Sequence, residues 1–128
     1  MSKAKIVRFK GCSNIQVAKA LSDLAAGLIE LSKNDKRLLN LVISLAVEGW
    51  NLSLYEDSNE NYKRKIEEKL PKGLSKEKKL IFQNFLLNLI KQKQETYPGY
   101  LKGITSFNLK EENGNLNLIV NALPINPL

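Results

Sequence analysis

Between residues 36 and 52 the chain spells a helix that water can reach along only one narrow stripe. Its polar residues, Arg37, Asn40, Ser44, Glu48 and Asn51, recur every three or four positions. At about 100° per residue they fall on a single line. The rest is apolar: Leu38, Leu39, Leu41, Val42, Ile43, Leu45, Ala46, Val47, Trp50 and Leu52. A helix of this kind has to be enclosed on most of its circumference. The other elements must therefore pack around it, and 128 residues have room for one such core. We expect a single domain over 1–128 with this helix at its centre and Gly49 marking a close approach.

Three more helices are predicted around it. Residues 14–31 carry Val17, Leu21, Leu24, Leu28 and Leu31 at helical spacing, with Ser13 or Asn14 as cap. Gln16, Lys19, Asp23 and Glu30 line the opposite side. Lys33 and Asn34 turn the chain, and Asp35 caps the central helix. Residues 56–70 form a weaker helix whose apolar stripe is only Tyr62, Ile66 and Leu70, and Pro71-Lys72-Gly73 ends it. Ser75 caps a fourth helix that runs to Lys93, with Phe82, Phe85, Leu86, Leu89 and Ile90 facing the core.

Strands are expected at both ends. Residues 4–10 read as a short strand, with Val7 and Phe9 on one face. At the other end Asn113-Gly114 is a strong hairpin signal. A two-residue loop there pairs Leu109 with Leu118, Phe107 with Val120 and Thr105 with Ala122, all on one face. Asn108, Lys110, Asn117 and Asn121 take the other face, with Ile119 as the exception. An isolated hairpin is marginal, so either the N-terminal strand joins it as the natural third strand or the helices cover its apolar face. The fold class is α+β in the order β-α-α-α-α-β-β. A helical layer packs on a small, mainly antiparallel sheet that ends in the Asn-Gly hairpin. The tail after Leu123 reads as irregular.

Composition bears on function mainly by subtraction. There is no histidine and only one cysteine, Cys12. Triad chemistry that uses imidazole as base and multi-ligand zinc sites cannot be assembled from such a chain. No cofactor is implied. A lone cysteine gives no internal disulfide, the charged start Met1-Ser2-Lys3-Ala4-Lys5 is unlike a signal peptide, and residues 38–47 are too short to span a bilayer. The chain reads as cytoplasmic, with no membrane partner. Net charge is +7, from seventeen lysines and three arginines against thirteen acids. The scarcity of arginine argues against bidentate phosphate recognition and favours a compositional origin for the charge.

Four features are candidates for function. The stretch 63–79 holds Lys63, Arg64, Lys65, Lys69, Lys72, Lys76, Lys78 and Lys79 against Glu67, Glu68 and Glu77, a local excess of five positive charges able to attract a nucleic acid or another anion. Leu80 and Leu87 lie off the core face of the fourth helix. With Tyr97 and Tyr100, which bracket a Pro-Gly turn, they are candidate interface residues. Arg8, Lys10 and Cys12 precede a helix N-terminus, where an anion or a reactive thiolate would be favoured, though no phosphate-binding motif accompanies them. Glu48 with Asp23 or Glu30 is the remaining carboxylate combination, but their stripes read as solvated edges. The leading functional expectation is a non-enzymatic protein-interaction module, a homo-oligomer or an assembly subunit. The alternative is a nucleic-acid-binding protein using 63–79, and the third is an enzyme working without histidine.

Overall fold

A computed structural model of the chain describes residues 13–125. Among the described residues, five helices precede a two-stranded antiparallel sheet: α1 (Asn14–Leu24), α2 (Ala26–Ser32), α3 (Lys36–Ser53), α4 (Asn59–Lys69), α5 (Lys76–Thr96), β1 (Lys102–Glu112) and β2 (Asn115–Pro124). The class is α+β, as the sequence predicts. The expected strand at 4–10 and its place in the sheet lie outside the described residues.

The helix starts follow from side chains that replace missing backbone partners. Ser13 and Gln16 form a reciprocal capping box on α1. Asp35 Oδ1 accepts from the N–H groups of Arg37 and Leu38 at 3.1 and 3.2 Å, which starts α3. Ser58 and Ser75 cap α4 and α5 through the N–H of Asn61 and Lys78. The Ser58 cap also explains why α4 begins at Asn59 rather than at residue 56.

The single helix expected over 14–31 is two helices. Ala25, with φ −100° and ψ 6°, leaves helical geometry and ends α1. Beyond the break, α2 does not continue the core stripe of α1. Leu28 is half-buried and Leu31 stands 81% exposed.

α3 is the central helix. One side of it joins α1, Leu89 of α5 and the inner face of the sheet in a core that contains Val17, Leu21, Ile43, Ala46, Trp50 and Val120. The other side, through Val42 and Leu45, meets Tyr62, Ile66, Phe82, Leu86 and Ile90 in a second cluster beneath α4 and α5. Burial of each large aliphatic side chain contributes about 1.5–3 kcal/mol, so these two clusters supply the main driving force. Gly49 marks the close approach: a Cβ there would lie 3.0 Å from Leu86 Cδ2 and 3.2 Å from Leu89 Cδ2.

The hairpin turns at Asn113 and Gly114, both with positive φ (52° and 78°), the geometry that matches the twist of the flanking strands. Leu109 pairs with Leu118 and Phe107 with Val120, as expected. The third expected pair differs: Ile104, not Thr105, faces Ala122, because the register slips between Ile104 and Ser106. The extra residue is a bulge, and the Thr105 hydroxyl donates to the Asn121 carbonyl at 3.1 Å. The slip turns Ile104 inward, where it is buried. It also aims the Ile104 backbone at α3. The Asn51 carboxamide accepts from Ile104 N at 2.8 Å and donates to Ile104 O at 3.0 Å, so one side chain stands in for a neighbouring strand. β1's outer edge is thereby closed at this point. Asn51, one end of the polar stripe, thus works inside the fold rather than at its solvated edge.

Candidate interaction surfaces

Two grooves and one charged region lie where function could be sited. The first groove, of about 270 Å³, forms where α2, the first turns of α3 and the start of α5 converge. Its wall is almost wholly apolar: Leu28 and Leu31 from α2, Leu38 and Leu41 from α3, Leu74 from the loop, and Ile81 with Phe82 from α5. Leu31 and Ile81 remain 81% and 51% exposed at its mouth. The groove is lined by α2 and not by α1, so it lies beyond the Ala25 break. Ser32, whose hydroxyl donates to the Leu28 carbonyl at 2.7 Å, closes the helix beside it.

The second groove, about 450 Å³, runs between α1 and β2. Ile15, Ala18, Lys19 and Asp23 line one side and residues 116–120 the other. In an antiparallel hairpin with a two-residue turn, alternate residues of each strand direct their backbone groups away from the partner strand. Here those are Leu116, Leu118 and Val120, so this is the sheet edge that Asn51 does not reach.

The structure divides the lysine-rich stretch. Lys65 Nζ lies 3.0 Å from Asp57 and Lys69 Nζ 3.7 Å from Glu48. Lys76 and Lys79 come together beside Glu67, Leu80 and Gln83 around a hollow of about 230 Å³. Lys78 lines the apolar groove instead. Lys63, Arg64 and Lys72 are exposed, and Arg64 reaches Asn61 Oδ1 at 3.4 Å. The eight cations therefore occupy several surroundings rather than one continuous track.

Asp57 organises one end of this region. Hydrogen bonds from Asn61, from Lys65 and from the Ser58 N–H hold its carboxyl down at about 2, against an ordinary 3.8. A depressed folded-state value means stabilisation that is full above the unfolded value and is lost as pH falls through the folded one. Between pH 4 and pH 2 the stability difference between the parent chain and Asp57→Asn should therefore shrink toward zero. Urea titrations across that window check this, and a difference independent of pH would refute it.

Other candidates are dispersed. Leu80 is exposed, whereas Leu87 is half-buried against the second cluster. Tyr97 and Tyr100 are half-buried and pack toward the first core, with ring centroids 5.1 Å apart. The Tyr97 hydroxyl donates to Asp23 at 3.1 Å. Burial first, and the Asp23 bond second, raise the Tyr97 phenol above its ordinary value. Glu48, Asp23 and Glu30 go to three different partners, Lys69, Tyr97 and Lys33. Among the described residues no three of His, Cys, Asp or Glu gather as metal ligands would. No helix among them is long and apolar enough to cross a membrane. Arg8, Lys10 and Cys12 lie outside the described residues.

One residue that sequence reasoning passed over is Lys93. It is 1% exposed, donates to the Tyr100 carbonyl at 2.8 Å, and holds its ammonium 5.0 Å from the centre of the Trp50 ring. The signal was available: position 93 continues the α5 core stripe of Phe82, Leu86 and Leu89. The chain matches no protein-family model, no curated protein and no solved structure.

Proposed function

We propose that this chain is a non-enzymatic protein-interaction module that receives a partner protein on the groove between α2, α3 and α5. The observation that carries this reading is the concentration of exposed apolar surface there. Leu31 and Ile81 flank a hollow whose lining is interrupted only by Ser32 and Lys78. Scattered exposed leucines need no explanation, but a contiguous apolar hollow with polar surroundings is typical of an interaction site. The division of the 63–79 cations favours this reading over binding of a single-stranded nucleic acid, which works through a basic groove interleaved with stacking aromatics.

The test is site-specific photocrosslinking in cells that express the full chain. A benzophenone residue replaces Leu31 in one sample and Lys63, exposed on α4, in another. Protein adducts are expected from position 31 and not from position 63. No adduct at 31, or equal adducts at both, would overturn the proposal.

A further inference from the structure

We propose that residues 4–10 of this chain dock in the groove between α1 and β2 and pair with the free edge of β2 as a third strand. This goes beyond the interaction reading above and concerns a different surface. The helices already cover the inner face of the hairpin, through Val17, Leu21 and Trp50. What they leave open is its edge. The backbone groups of Leu116, Leu118 and Val120 point away from β1, and none of the described residues bonds them. Asn51 gives the other edge a partner at Ile104, and β2 has no counterpart to it among the described residues. An open row of donors and acceptors of this kind is completed by an extended main chain.

The side chains along the edge set what that main chain should carry. Ile15 of α1 and residues 116–120 line the groove. Ile15 stands 71% exposed there, and Leu116 and Ile119 are exposed as well. Leu118 and Val120 belong to the core side of the sheet, and Ile119 lies on the other face. Residues 4–10 carry the same pattern, with Val7 and Phe9 on one face and Ile6 beside Arg8 and Lys10 on the other. Docked in this way, Val7 and Phe9 continue the row of Leu118 and Val120 and cover Ile15. Ile6 falls on the face of Ile119, the apolar exception between Asn117 and Asn121.

Length and attachment select this segment over a strand from another molecule. Residues 4–10 in extended form span about 23 Å, and the open stretch 116–120 needs about 17 Å. Only Gly11 and Cys12 separate Lys10 from Ser13, the cap of α1. Asn14 and Ile15, which follow that cap, line the groove itself. A two-residue connection is of ordinary length between a strand and a helix. A segment tethered this closely meets the edge at a far higher effective concentration than a strand from a partner or a second copy.

The experiment uses the full chain, isotope-labelled for nuclear magnetic resonance. The Leu118 and Val120 amides should exchange with solvent about tenfold or more slowly than in Phe9→Asp. The Leu45 and Leu86 amides, in the second cluster, should exchange alike in both and show that the variant is folded. In the parent chain, which needs no variant, the Phe9 ring protons should give nuclear Overhauser contacts to the methyl groups of Ile15 and Leu118. Mixing labelled with unlabelled chain should show that these contacts arise within one molecule. Fast exchange at Leu118 and Val120 in the parent, or slow exchange that Phe9→Asp leaves unchanged, overturns the proposal. Contacts found only between molecules also overturn it and give the edge to a second copy.

Discussion

Trp50→Ala should cost about 3–5 kcal/mol of folding stability, the range for removing a buried tryptophan. That is a large share of the roughly 5–15 kcal/mol available to a domain. Trp50 is fully buried and belongs to the core that joins α1, α3 and the sheet. Its Nε1–H donates to the Lys102 carbonyl at 2.7 Å, at the first residue of β1. Its ring meets Tyr100 edge-on with centroids 6.4 Å apart and lies beneath the Lys93 ammonium. Removing it leaves a cavity, an unpaired carbonyl and a lysine without its aromatic surface. Trp50→Phe separates these effects. It keeps most of the apolar contact but strands the Lys102 carbonyl, a loss of about 1–3 kcal/mol. Urea denaturation followed by circular dichroism is the right measurement, because Trp50 is the sole tryptophan and fluorescence would vanish with it. A loss below about 1 kcal/mol for Trp50→Ala would show that the hairpin is held by other means.

What the sequence discloses and what it hides divides along the range of the interactions. α3 was legible because its apolar circumference is a property of one continuous segment. The hairpin turn was legible because Asn113 and Gly114 tolerate positive φ and few residue pairs do so as well. The break at Ala25 was not legible, since alanine is the best helix former and Gly27, two residues on, weakens a helix without fixing where it ends. The Thr105 bulge was hidden for a similar reason: its effect is to deliver the Ile104 backbone to Asn51, fifty-three positions away. The apolar groove draws on four separate parts of the chain. No single stripe foretold it, although Leu38, Leu74 and Ile81 were each readable as apolar. The basic stretch shows the converse. Its residues are contiguous in sequence, and the α4–α5 geometry distributes them between Asp57, Glu48, the Lys76–Lys79 hollow and the apolar groove.

Lys93 is the sharpest case, because composition says lysine belongs on the surface while helical phase says position 93 belongs in the core. Phase wins, and the buried ammonium is given work. It sits in the last turn of α5, where the helix end carries partial negative charge and favours a cation. Its Nζ bonds the Tyr100 carbonyl at 2.8 Å, and its own carbonyl accepts from the Tyr97 N–H at 2.8 Å. Both ends of the residue therefore tie the 97–100 turn to α5, and that turn delivers β1 to Trp50 and Asn51. Lys93→Ala should cost about 2–5 kcal/mol, comparable to truncating a buried methionine. Lys93→Met keeps the aliphatic stem and removes only the ammonium, so it should fall between the alanine variant and the parent. Hydrogen exchange distinguishes this role from plain core filling. In both variants the Tyr97 and Ile104 amides, bonded to Lys93 O and Asn51 Oδ1, should lose more protection than the Leu45 and Leu86 amides in the second cluster. If Lys93→Met matches the parent in stability and leaves Tyr97 protected, the ammonium is not what fastens the hairpin to the helices.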